Sequence, residues 1–115
     1  KADGSLTAWG DNNSGGSGEP DDTGFVKVFS NDYAFVAMKA DGSLTAWGDN
    51  NSGGSGEPDD TGFVKVFSND YAFVAMKADG SLSSWGQQGF GGSFAPSGTG
   101  YVNVFSTASA FVALK

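Results

Sequence analysis

Residues 24–30 read Gly-Phe-Val-Lys-Val-Phe-Ser, with Phe25, Lys27 and Phe29 on one side of an extended chain and Val26 and Val28 on the other. Two-residue alternation in a run this rich in β-branched and aromatic side chains predicts a strand. A second run over 33–40, Tyr-Ala-Phe-Val-Ala-Met-Lys-Ala, predicts another, and Ser30, Asn31 and Asp32 between them supply turn-forming side chains. On this second strand Tyr33, Phe35 and Ala37 fall on one face and Ala34, Val36 and Met38 on the other. A sheet wetted on one side alternates apolar with polar positions, so a strand apolar on both faces must be covered on both.

Asp41-Gly42 separates that run from Ser-Leu-Thr-Ala-Trp at 43–47. An Asp-Gly pair between apolar runs predicts a two-residue type I′ hairpin loop, which needs positive φ at both central residues. Such a loop sets Ala40 opposite Ser43, Met38 opposite Thr45 and Val36 opposite Trp47. The Gly-rich polar stretch 49–62 returns the chain, with a short outer strand expected near 52–55. Each unit then holds three strands and room for a fourth.

The pattern repeats. Residues 1–38 and 39–76 are identical, residues 77–114 keep 22 of the 38 positions, and Lys115 begins a further copy. Identity between two copies implies a very recent duplication or deliberate engineering, and engineering is the favoured expectation. The chain is expected to be a single repeat domain over 1–115, built from units 1–38, 39–76 and 77–114. Small antiparallel sheets stacked face to face on copies of themselves are what a β-propeller provides.

Composition narrows the function classes. Thirteen Asp and Glu against six Lys give a net charge of −7, which repels a phosphate backbone and an anionic membrane alike, so neither nucleic acid nor membrane is an expected partner. There is no Cys and no His, so the usual nucleophiles and bases are missing, and the chain is expected to be no enzyme and to need no cofactor. Glu19, Asp21 and Asp22 could pair as acid and base, but the third unit replaces them with Ala95, Ser97 and Gly98, and solvated loop charge is the better account. Asp11-Asn12-Asn13 lacks the spacing of a calcium loop, leaving turn chemistry. Lys27 and Lys65, replaced by Asn103 in the third unit, would face water on a propeller's innermost strand.

Trp9, Trp47 and Trp85 recur at one strand position, with Tyr33 and Tyr71 at another. Packing between neighbouring blades is the leading reading of the tryptophans. The alternative is a shallow carbohydrate site repeated by symmetry, with these five aromatic residues stacking on sugar rings.

Ala2-Asp3-Gly4 with Trp9-Gly10-Asp11-Asn12, repeated at Ala40-Asp41-Gly42 with Trp47-Gly48-Asp49-Asn50 and at Ala78-Asp79-Gly80 with Trp85-Gly86, resembles the short bacterial form of the regulator of chromosome condensation repeat. The resemblance covers all three units and implies a β-propeller, a fold commonly seven-bladed in that family. It also implies a bacterial extracellular or cell-surface parent protein. The family's eukaryotic founder is an exchange factor for a small GTPase and contacts chromatin; only the fold carries over, since fold alone does not imply function. Where the family has a Gly-Gly-x-His turn before the second strand, this chain has Ser30-Asn31-Asp32-Tyr33.

The sequence therefore predicts an all-β fold: a β-propeller of three- to four-stranded antiparallel blades, three blades per chain. Three blades fall short of the four to eight that usually close a ring. A head-to-tail homodimer making a six-bladed ring is the expectation. Ser5, Leu6, Thr7, Ala8 and Trp9 of one chain would complete the blade ended by Ala110, Phe111, Val112, Ala113, Leu114 and Lys115 of the other, bringing Lys115 near Ala2 and Asp3 of its partner. The expected function is a non-catalytic, self-assembling scaffold or interaction module; binding of a carbohydrate or a surface partner is the alternative.

Overall fold

The computed structural model describes residues 3–93 and 95–115. Eight strands among them form three small antiparallel sheets. The first holds β1 (Phe25–Ser30), β2 (Ala34–Lys39) and β3 (Leu44–Gly48); the second holds β4 (Phe63–Ser68), β5 (Ala72–Lys77) and β6 (Leu82–Gly86). The third has two strands, β7 (Asn103–Ser106) and β8 (Phe111–Leu114). Each sheet takes its first two strands from the end of one repeat unit and its third, where present, from the start of the next.

Both faces of the middle strand are covered, as its composition requires. Val36, Met38 and Leu44 of the first sheet pack against Phe63, Val66, Phe73, Ala75 and Trp85 of the second in one core. Val74, Met76 and Leu82 pack against Val104, Phe111 and Ala113 in another. The first strands of successive sheets are neighbours, tied where Ser68 Oγ donates to Ser30 O at 2.9 Å and Ser106 Oγ to Ser68 O at 3.0 Å.

The hairpin after β2 differs from the expected two-residue loop. Gly42 N–H donates to Lys39 O at 2.9 Å, and Lys39 N–H to Ser43 O at 3.0 Å. The loop is therefore three residues, Ala40-Asp41-Gly42, with Gly42 at φ 82°. This is the hairpin in which a turn is followed by a left-handed residue, the place glycine fills without steric cost. The register moves accordingly: Phe35 faces Trp47, Val36 faces Ala46, Ala37 faces Thr45 and Met38 faces Leu44. Since a one-residue slip turns every side chain to the opposite face, Trp47 lies on the face of Phe35 and Ala37 instead of that of Val36.

Two further expectations fail. The outer strand expected near 52–55 is absent, and a 3-10 turn, Asn50–Ser52, opens that loop instead. Asp49 caps it by accepting the Asn51 N–H, and Gly53 closes it at φ 102°; Asp11 and Gly15 do the same around Asn12–Ser14. Residues 5–9, expected as a strand, have no sheet partner, and β8 begins at Phe111 instead of Ala110. Lys1 and Ala2, the latter expected beside Lys115 of a partner, lie outside the described residues.

Asn31 organises the turn between β1 and β2. Its side-chain oxygen accepts the N–H groups of Tyr33 and Ala34, and its amide donates to Ser52 O in the next outer loop at 2.8 Å. Asn69 repeats this, accepting from Tyr71 N–H and donating to Phe90 O.

The hairpin aspartates give the fold a pH response. The Ser43 backbone N–H holds the Asp41 carboxyl below the ordinary aspartate range, and the Ser81 N–H does the same for Asp79. A folded value below the unfolded one adds stability that is complete above about pH 4 and is lost as pH falls through the folded value. An Asp41→Asn, Asp79→Asn variant can still accept the bond but cannot titrate. Its melting temperature should fall less steeply than the parent's from about pH 4 to about pH 3; parallel curves would remove these turns from the acid response.

Candidate functional site

Identical repeats form an internal control, because equivalent side chains differ only in what lies beside them. Val66 faces the first sheet and is 8% exposed; Val28, the same residue one unit earlier, has no sheet before it and is 49% exposed. At the other end, Val74 is 4% exposed against the third sheet, whereas Val112 is 67% exposed. Phe105 and Leu114 are exposed beside Val112. The two ends of the stack thus expose the residues whose repeat equivalents face each other between successive sheets inside the chain. Exposed apolar patches of this kind mark interaction sites.

Residues 3–9 already stand where the third strand of a preceding blade would be. Asp3 O accepts the Gly24 N–H at 2.9 Å, as Asp41 O accepts that of Gly62 at 2.8 Å. Leu6 packs against Phe25, Phe35, Ala37 and Trp47, the counterpart of Leu44 in the next junction. Glu19 Oε2 accepts the Ala8 N–H at 3.2 Å, as Glu57 Oε2 accepts that of Ala46 at 2.9 Å. Glu19 is therefore a strand clamp, and Asp22 pairs with Lys39 Nζ at 3.1 Å, which also lies over the Phe25 ring.

Sequence reasoning missed the glutamate clamp. Its only signal is the eleven-residue spacing from an alanine in the third strand to Glu57. Removing it leaves a partly buried N–H unpaired, and hydrogen bonds to charged groups contribute about 1.5–3 kcal/mol. Glu57→Ala should lower the unfolding free energy measured in urea by that order, and an unchanged value would mean that water replaces the carboxylate.

The tryptophans divide into two groups. Trp47 and Trp85 are buried, stacked on Phe35 and Phe73 with ring centroids 5.4 and 5.5 Å apart. Their indole N–H groups donate to Gly15 O and Gly53 O, each at 3.1 Å. Trp9 is 84% exposed. It borders a groove of 210 Å³ with Leu6, Ala8, Val28, Phe35 and Trp47.

Tyr33 and Tyr71 stack on each other across the first junction at 5.7 Å, and Tyr71 meets Phe90 at 4.6 Å. The nearby Tyr71 phenol, and then burial, push the Tyr33 phenol above its ordinary value. Where these turns lie, Asn31, Asp32, Asn69, Asp70 and Thr107 line an open polar basin of 440 Å³. Lys27 and Lys65 are exposed on β1 and β4. No cluster of Asp and Glu able to hold a metal ion occurs among the described residues.

Residues 25–53 match the profile of the Regulator of chromosome condensation (RCC1) repeat. That span runs from β1 through the whole first sheet to Gly53. The chain thus carries an RCC1 repeat within repeated small antiparallel sheets consistent with propeller blades. No curated protein matches the chain.

Proposed function

We propose that the chain is a self-assembling scaffold without chemistry of its own, in which two copies join head to tail as a six-bladed ring. The observation that carries this reading is the pair of open faces at its two ends, one presenting Val28 and Phe35, the other Phe105, Val112 and Leu114. Internally, the residues equivalent to the first set bury those equivalent to the second. A head-to-tail contact between such surfaces either closes a ring or runs on as a filament, and three blades from each of two chains fall within the four to eight that close.

Deleting residues 1–10 tests the shared blade. The third strand of that blade goes with them, so the shortened chain should run as a monomer in light scattering and melt at a lower temperature than the full chain. A dimer as stable as the parent would defeat shared-blade closure.

A second reading, carbohydrate binding, is favoured by the stacked Tyr33 and Tyr71 beside the polar basin and by the exposed Trp9. Trp47 and Trp85, buried with their N–H groups paired, give it no support. Binding on a glycan array that is lost in a Tyr33→Ala, Tyr71→Ala variant would favour it over a scaffold alone.

A further inference from the structure

We propose that the gap between the second and third sheets is a socket for an indole side chain, filled by Trp9 of a second copy of the chain. This rests on the ring assembly proposed above and adds to it the residue that locks each junction and the register in which the strands meet.

The gap is a cavity of 130 Å³ lined by Val74, Leu82, Gly91, Val104, Phe111 and Ala113. Each of these stands one repeat after Val36, Leu44, Gly53, Val66, Phe73 and Ala75. At the first junction these earlier residues surround an indole: Trp85 belongs to the same core, stacks on Phe73 and donates its N–H to Gly53 O. At the second junction the wall is present and the indole is not, because the third sheet has two strands and lacks the one that would bear it. Ser93 also lines this cavity, and its Oγ is buried with no hydrogen-bond partner among the described residues.

Trp9 is the tryptophan of the repeat that has no socket of its own. It stands at the far end of the stack, 84% exposed at the rim of the groove that Val28 and Phe35 also line, so its own chain does not bring it to Phe111. The rest of its strand is in place: Leu6 and Ala8 are held on the first sheet by apolar contact and by Glu19. Side chains alternate along an extended segment, so Thr7 and Trp9 fall on the face opposite Leu6 and Ala8, the face that meets the partner's second sheet once this segment joins the partner's third.

The pairing Phe35 with Trp47 and Phe73 with Trp85 fixes the rest. Trp9 stands opposite the partner's Phe111, Ala8 opposite the partner's Val112, Thr7 opposite the partner's Ala113 and Leu6 opposite the partner's Leu114. The Trp9 N–H then reaches the partner's Gly91 carbonyl. In return, the partner's Val112 and Leu114 enter the 210 Å³ groove beside Leu6 and Ala8. One segment thus fills both vacant volumes, which is why a second copy suits the socket better than a free aromatic ligand.

The native chain has no Cys, so a designed pair reads the register directly. Opposed residues of an antiparallel pair have Cα atoms about 4.5–5.5 Å apart, within the range a disulfide spans. Thr7→Cys with Ala113→Cys should give a disulfide-linked dimer on mild oxidation, and Thr7→Cys with Val112→Cys should give little. A link within one chain, or equal yields from both pairs, would overturn the register.

Trp9→Ala tests the lock. Trp9 makes little contact within its own chain, so the monomer's fold should be unchanged by circular dichroism, while association weakens about thirty-fold or more, the effect of losing a central tryptophan from an interface. Trp9→Phe should recover part of that loss. If association persists undiminished in Trp9→Ala but is lost on deleting residues 1–10, the socket is wrong and the shared blade stands. If the unaltered chain never associates, the assembly itself is wrong.

Discussion

Trp85→Ala should cost about 3–5 kcal/mol, the usual price of emptying a buried aromatic site. Trp85 is almost wholly buried between the first two sheets, stacked on Phe73, with its N–H on Gly53 O. Its loss opens a cavity and leaves that carbonyl without its donor. The first junction would then resemble the second, whose wall is complete and whose indole is missing. Domains of this size are stable by only about 5–15 kcal/mol, so the variant should lose a large part of its resistance to urea. Trp85→Phe should fall between the two, since the ring contact with Phe73 is partly kept and the hydrogen bond is not. Midpoints must be compared at one protein concentration, because association raises apparent stability by mass action. A loss below about 1 kcal/mol would mean that the sheets slide together to fill the space left by the indole.

Gly42→Ala carries the second large effect. Gly42 has φ 82°, where a β-carbon strains the chain by about 1–2 kcal/mol. A methyl group there would also run into the Phe63 backbone nitrogen and lie 2.6 Å from the nitrogen of Gly62 and the oxygen of Phe63. These are main-chain atoms at the start of β4, held by the Gly62 N–H bond to Asp41 O, so they have little freedom to withdraw. Overpacking adds about 1–3 kcal/mol, giving roughly 2–5 kcal/mol in all. Gly62→Ala is the control, since its φ is similar but nothing lies within 4 Å of the added carbon. It should lose only the strain, and equal losses in the two variants would remove the clash from the account.

The strands were legible because their residues carry the two-residue period and the repeat multiplies the signal threefold. Apolar character on both faces of β2 and β5 led directly to stacked sheets, and the burial of Phe73, Val74, Ala75 and Met76 bears that out. The hairpin differs from the expected one because Asp-Gly suits two loops. It can be the whole of a two-residue turn or the end of a three-residue one, and the doublet alone does not say which. The bonds from Gly42 and Lys39 choose the longer loop, and Trp47 changes faces as a result.

The outer loop carries a sharp local signal of its own. Asp49 before Asn-Asn-Ser and Gly53 after it are a side-chain cap and a left-handed stop, the punctuation of a short helical turn. In the third unit Gln87 replaces the capping Asp and makes no such bond, yet the turn Gln88–Phe90 persists with Gly91 closing it. Glycine is therefore the stronger determinant. The indole socket was invisible in sequence, because a vacancy appears only when equivalent junctions are set side by side and Trp85 is found in one of them.

The central claim is that the exposed faces at the two ends of the stack are halves of a single junction and meet across chains. Light scattering on the unaltered chain at micromolar concentration tests it most directly. The account predicts one species of twice the 11.7 kDa chain mass. A monodisperse species of 11.7 kDa, unchanged as the concentration is raised, would contradict it.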